Sequence, residues 1–178
     1  EAWPLFEKAL DIAKSTGQRR LEGIITANLA FLAQSLGRLD DSIHWNDAAL
    51  AIHREVGNIT GVAGVYANLA MLYASTGDVE RARTLHEESI ASYRIVGERR
   101  LTAQAMIMYA AFERRTGAPL QEVVSHLAQA GENFDADKAS FVSVLDLVER
   151  GHLELAAGRS ARRVLDTAEA LASSLDFG

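Results

Sequence analysis

Ala27-Asn28-Leu29-Ala30-Phe31-Leu32 and, forty residues on, Ala67-Asn68-Leu69-Ala70-Met71-Leu72 are two copies of one cassette, each followed at the same distance by a glycine, Gly37 or Gly77. Gly37, Gly77 and Gly117 stand 40 residues apart, and so do Gly17, Gly57 and Gly97. A period of this size marks a stacked array of equivalent supersecondary units. Such arrays present long binding surfaces rather than catalytic pockets. The chain therefore reads first as an interaction surface.

Between glycines the segments are long enough for helices of roughly four to five turns, and proline occurs only at Pro4 and Pro119. In residues 20–36, Ile25, Leu29, Leu32 and Leu36 fall on one helical face. Ile24, Asn28, Phe31 and Ser35 make a second, adjacent face, so this helix is expected to be covered from more than one side. Residues 40–56 differ: Ile43, Ala49, Leu50 and Val56 alternate with Asp40, Asp41, Asp47, His53 and Arg54, an amphipathic helix with one wet face. Each unit thus pairs an inner with an outer helix. Inner helices are expected near 20–36, 60–76, 99–116 and 138–157, and outer ones near 2–16, 39–56, 79–96, 119–133 and 160–175. The glycines suit left-handed helix ends. Asp40, Asp78 and Pro119 suit helix starts, Pro119 in a first turn where its missing N–H is harmless.

Nearly half of the 178 residues are apolar, yet no stretch approaches the ~20 uninterrupted apolar residues of a membrane helix. The chain contains no cysteine, which excludes disulfides and thiolate metal sites and permits a reducing, cytoplasmic setting. A net charge of −6 argues against sequence-independent nucleic-acid binding. Residues 2–16 match the second half of the later units, with Ala2, Phe6, Ala9 and Leu10 where Ala82, His86, Ser89 and Ile90 sit. The expectation is a fragment of a longer protein. The array is expected to span 1–178, with units at 17–56, 57–96 and 97–136 and a divergent unit at 137–178. In that last unit the glycine step lengthens to 41, at Gly158, and Arg163 falls where Ala82 would be. The stretch from Gly131 to Asp137 is a longer connection than any before it.

The Asn-Leu-Ala-x-Leu core, the glycine after it, and Ala82 in the next helix resemble the tetratricopeptide repeat. Gly77-Asp78 and Ala82 match that pattern best, and Tyr73 takes an aromatic position of the first helix; coverage runs from about residue 2 to 117. The 40-residue period is similar to the extended repeats of kinesin light chain and to repeat regions of large bacterial regulators. The resemblance implies an all-α, right-handed α-solenoid of stacked antiparallel helix pairs. It also implies that asparagines at the place of Asn28 and Asn68 hold peptide main chain.

An asparagine amide can pair with both the N–H and the C=O of an extended backbone. The alternative is that Asn28 and Asn68 bond a neighbouring helix and fix packing. Met108 ends the series in the third unit. Ala27, Phe31, Ala67, Met71, Ile107 and Ala111 are expected along the same concave face, unless another helix covers the strip. Gln34, Ser35, Ser75, Arg114 and Arg115 lie toward its far end, where the arginine pair would grip a carboxylate or, alternatively, sit solvated at the helix end. The five histidines do not assemble a metal site, Asp135 and Asp137 lack the rest of a calcium loop, and the closing Asp-Phe-Gly has no kinase context. There is no Walker sequence, nucleophile elbow or H-E-x-x-H, so neither enzyme nor cofactor is expected.

The leading expectation is a non-enzymatic module that binds a peptide or protein segment in the concave groove. The alternative is an effector-sensing or autoregulatory segment of a larger bacterial regulator, its partner being another domain of the same chain. A third reading is self-association through the apolar end faces of the array. No nucleic acid or membrane partner is expected.

Overall fold

The computed structural model describes residues 2–134 and 140–175, the Phe141 side chain excepted. Among these residues all regular structure is helical: α1 Ala2–Ser15, α2 Arg19–Ser35, α3 Leu39–Glu55, α4 Ile59–Thr76, α5 Val79–Ile95, α6 Arg99–Arg115, α7 Leu120–Gly131, α8 Phe141–Ala156 and α9 Arg162–Ser174. The glycine ladders mark the helix ends as the sequence suggests. Gly77 ends α4 at φ 86°, in the left-handed region where a Cβ is disfavoured. The Asp78 N–H then reaches back to Tyr73 O at 3.0 Å, while Asp78 Oδ1 accepts from the Arg81 N–H at 3.2 Å. One Gly-Asp pair thereby closes α4 and opens α5.

Asp40 falls at the start of α3 as the sequence suggests: Arg38 is the N-cap, and Asp40 and Asp41 lie in the first turn, where carboxylates complement the positive helix end. One start differs from expectation. Pro119 sits at the N-cap of α7, with φ −56° and ψ 130°, one residue before the helix. The reading of Asp135 and Asp137, the start of a helix at 138, and the closing Asp-Phe-Gly lie outside the described residues.

The chain divides into two compact units, Glu1–Val96 and Gly97–Gly178. In the first unit α1 packs on α2, α2 on α3, α3 on α4 and α4 on α5, while α2 also meets α4 directly. Turns of two or three residues make consecutive helices antiparallel neighbours. Leu10, Ala13, Ile25 and Leu29 form one core cluster, with Trp3, Phe6, Ala9 and Trp45 against it. Ala49, Val65, Leu69 and Leu72 form the next, with Ala27, Ile43, Leu50, Tyr73 and Leu85 around it. Ala30, Ala33, Ala63, Ala70 and Ala82 are fully buried. His53 departs from the sequence reading: expected on the wet face of α3, it is 1% exposed.

In the second unit α6 packs on α7 and α8, and α8 on α9. Met106, Ile107 and Phe112 of α6 and Val123 and Leu127 of α7 are buried, and the Tyr109 and Phe112 rings stack at 6.2 Å. Glu113 is buried and meets Nδ1 of His126 at 2.6 Å, which satisfies its carboxylate without a metal. Gly151 explains part of the divergence of the last repeat. A Cβ there would lie 2.6 Å from Leu165 Cδ2, so α9 packs on α8 through Leu165.

Candidate functional site

The exposed face of α2 runs through Leu21, Ile24, Asn28, Phe31 and Ser35, at spacings of three, four, three and four. Leu21 is 40%, Ile24 43% and Phe31 52% exposed. An apolar stripe this open is costly to keep in water and marks a contact surface. α2 is covered from more than one side as expected, by α1, α3 and α4, while this stripe stays open within the first unit. The same register on α4 reads Gly61, Gly64, Asn68, Met71 and Ser75, half-buried except for the exposed Ser75.

Asn28 is exposed and Asn68 half-buried, and neither side chain makes a hydrogen bond to a described residue. The packing alternative, in which each amide ties down a neighbouring helix, finds no bond to rest on. Serines on the same faces behave otherwise: Ser35 Oγ donates to Phe31 O at 3.0 Å, and Ser75 Oγ to Leu72 O at 2.6 Å. Both hydroxyls are spent on their own helices. Ala27 packs against the core cluster shared with α4, and Ala67 is half-buried. Gln34 is half-buried and its Oε1, closed off from solvent, accepts no hydrogen bond.

The expected residues of α6 divide. Ile107 is 1% exposed and belongs to the core of the second unit, so it lines no surface there. Ala111 is half-buried and Arg115 exposed. Arg114 is already engaged, its Nε donating to Glu149 Oε2 of α8 at 3.1 Å. His152 Nδ1 meets the other oxygen of Glu149 at 3.2 Å. Glu149 follows Met108 by 41 residues, the lengthened glycine step, and so holds the register of Asn28 and Asn68 in the last repeat. The step from Gly117 to Gly158 was the signal that places it. Leu21 and Ile24 were also passed over as site residues, although their spacing from Asn28 carried the information.

At the N-terminal end of α2 a hollow of about 400 Å³ is lined by Gln18, Arg19, Arg20, Leu21 and Ile24. Arg19 is neutralised, with Nη1 on Glu22 and Nη2 on Glu55, each at 2.6 Å. The guanidinium holds the Glu55 carboxyl below its ordinary range by hydrogen bonding. Among the described residues no three His, Cys, Asp or Glu side chains gather as a metal site. No described helix is long and apolar enough to cross a membrane. What the α2 and α4 faces offer is two unspent amides among exposed aliphatic and aromatic carbon.

Residues 21–95 match the family model of the tetratricopeptide repeat. BtubC (BKLC) from P. vanneervenii has a similar fold, with a TM-score of 0.73 at 20% identity over 99% of this chain and 74% of that one. So does a Podosopora anserina protein described as a kinesin light chain with nearly identical TPR-like repeats, with a TM-score of 0.63 at 18% identity over 98% of this chain and 87% of that one. At these identities the likeness is one of fold, an all-α solenoid. No curated protein matches the chain.

Proposed function

We propose that this chain, which carries tetratricopeptide repeats, is a non-enzymatic interaction module that holds an extended peptide segment across α2 and α4. Such repeats are in general protein–protein interaction modules. The observation that supports the finer reading is the state of Asn28 and Asn68: equivalent in register, carried on helices in contact, and without a side-chain hydrogen bond to any described residue.

Packed helices lie roughly 8–10 Å apart. Three residues of extended chain, at about 3.3 Å each, cover the same distance. A peptide crossing the two helices can therefore present backbone groups to both amides at once. Leu21, Ile24 and Phe31 on α2 and Met71 on α4 supply apolar contact beside them. On α4 Gly64, where a Cβ would meet only the Tyr93 hydroxyl at 3.5 Å, leaves room beside the helix backbone for a peptide side chain. Arg114, in the second unit, is spent on Glu149. The setting that suits this work is the cytoplasm.

The test starts from a displayed library of random peptides selected on the wild-type chain. A selected peptide is then measured by calorimetry against the Asn28→Ala, Asn68→Ala double variant at pH 7.5. Each lost amide should cost on the order of 1–2 kcal/mol if its bonds are buried in the complex. Unchanged affinity removes the backbone-capture mechanism.

A further inference from the structure

His53, in the last turn of α3, is shut in between two helices that leave it no spare room. A methyl group placed on Gly23 of α2 would lie 2.7 Å from its Cε1, and one on Gly61 of α4 would lie 2.5 Å from its Cγ. Only glycine fits at both places. The ring is therefore held by contact from α2 and α4 together.

Its polar partner is the N-cap of α4. Asn58 Oδ1 accepts from the Gly61 N–H at 3.1 Å, and Arg20 Nη2 of α2 donates to the same oxygen at 3.4 Å. With the oxygen committed to two donors, the amide nitrogen is the atom turned to the imidazole, 3.1 Å from His53 Nδ1. An amide nitrogen only donates. Nδ1 therefore carries no proton, and the neutral ring keeps its proton on Nε2. Histidine, asparagine and arginine thus join α3, the start of α4 and α2 through one side chain.

We propose that protonation of His53 withdraws the N-cap from α4, so that the α4 wall of the groove is under acid control. A proton on Nδ1 sets two donors face to face at the Asn58 contact. Asn58 then either retracts or turns its amide over. Turning presents Oδ1 to the imidazolium but leaves the Gly61 N–H facing an NH₂ group, and Arg20 facing the same group. Either movement uncaps the helix.

The surroundings of the ring pull two ways: the negative C-terminal end of α3, on which His53 sits, favours an imidazolium, while burial and Arg20 oppose it. Burial first, and Arg20 second, hold the imidazole below its ordinary value. Arg19 on α2 is neutralised by Glu22 and Glu55. Arg54 on α3 donates to the Tyr66 hydroxyl of α4 at 3.0 Å. The first two turns of α4, residues 59–65, contain no ionisable side chain. What α4 does present is the positive end of its dipole, which repels an imidazolium. The device itself does not depend on the groove; only its consequence for peptide binding rests on that reading.

The test uses the free chain and needs no ligand. The His53 ring and the Gly61 amide are followed by NMR from pH 7.5 to 5, with exchange corrected for its intrinsic pH dependence. Protection of Gly61 is expected to fall about fivefold as His53 takes its proton, the population equivalent of a lost N-cap. Asn58→Asp keeps the cap and also accepts from an imidazolium, so in that variant His53 should titrate at higher pH and Gly61 stay protected. Gly61 protection that is indifferent to His53 titration overturns the proposal, as does an Asn58→Asp protein that responds to acid like the wild type. Failure of the groove shows elsewhere, in the Asn28 and Asn68 variants at pH 7.5.

Discussion

Arg114 on α6 and Glu149 on α8 are joined across the two inner helices of the second unit, Nε to Oε2 at 3.1 Å, with side chains 22% and 12% exposed. In the first unit the residues of the same register, Asn28 and Asn68, make no side-chain hydrogen bond to a described residue, whereas here Glu149 closes a charge pair.

Glu149→Ala should destabilise the chain by about 1–2 kcal/mol, because it leaves a largely enclosed guanidinium without its acceptor; the partial exposure of both groups keeps the figure below that of a buried pair. Urea unfolding measures it. A change inside the roughly ±0.5 kcal/mol typical of surface substitutions would mean that solvent replaces the carboxylate freely.

Asn28→Ala and Asn68→Ala should leave stability within about 0.5 kcal/mol of wild type, since no hydrogen bond to a described residue is lost. Thermal and urea unfolding of each variant checks this. A loss approaching 2 kcal/mol from either would show the amide to be structural and weaken its claim as a peptide contact.

Gly61 and Gly64, about one turn apart on α4, should respond oppositely to alanine. At Gly64 the new Cβ meets only the Tyr93 hydroxyl, at 3.5 Å, an ordinary contact. Gly64→Ala should stabilise by roughly 0.5–1 kcal/mol through helix propensity. Gly61→Ala drives a methyl into the His53 ring and the Asn58 amide, at 2.5 and 2.7 Å, and should cost about 1–3 kcal/mol. Equal responses would contradict the packing of His53.

Acid should act in two stages. The His53 imidazole is held below its ordinary value of 6.5, so between that value and its folded one the unfolded chain binds more protons. Its contribution is complete above about pH 6.5 and is lost as pH falls toward the folded value. The Glu55 and Glu154 carboxyls, each held down by an arginine, act below their ordinary 4.5. Stability that is present above that value is lost as they take protons. Unfolding curves across pH should show the upper stage vanish in His53→Gln while the lower one persists. An upper stage that survives the substitution would assign it to another group.

The helix ends, the inner and outer alternation and the equivalence of Asn28 with Asn68 were open to reading in residue order. They depend on local chemistry: a glycine that accepts φ 72° at Gly37 or φ 86° at Gly77, and apolar spacing that closes one helical face. A repeated local rule yields a repeated local structure, and a period of 40 made the rule visible.

Burial and partnership are a different matter, because they are decided by residues far away along the chain. His53 is indistinguishable from a solvent-facing histidine until Gly23, thirty residues earlier, and Gly61 of the next helix close over it. Arg114 looks like a free helix-end cation until Glu149, 35 positions on, is folded beside it. Ile107 and Ala111 carry the same apolar signal, yet only one of them is enclosed. Periodicity gives a direction around each helix axis; what stands in that direction is set by packing.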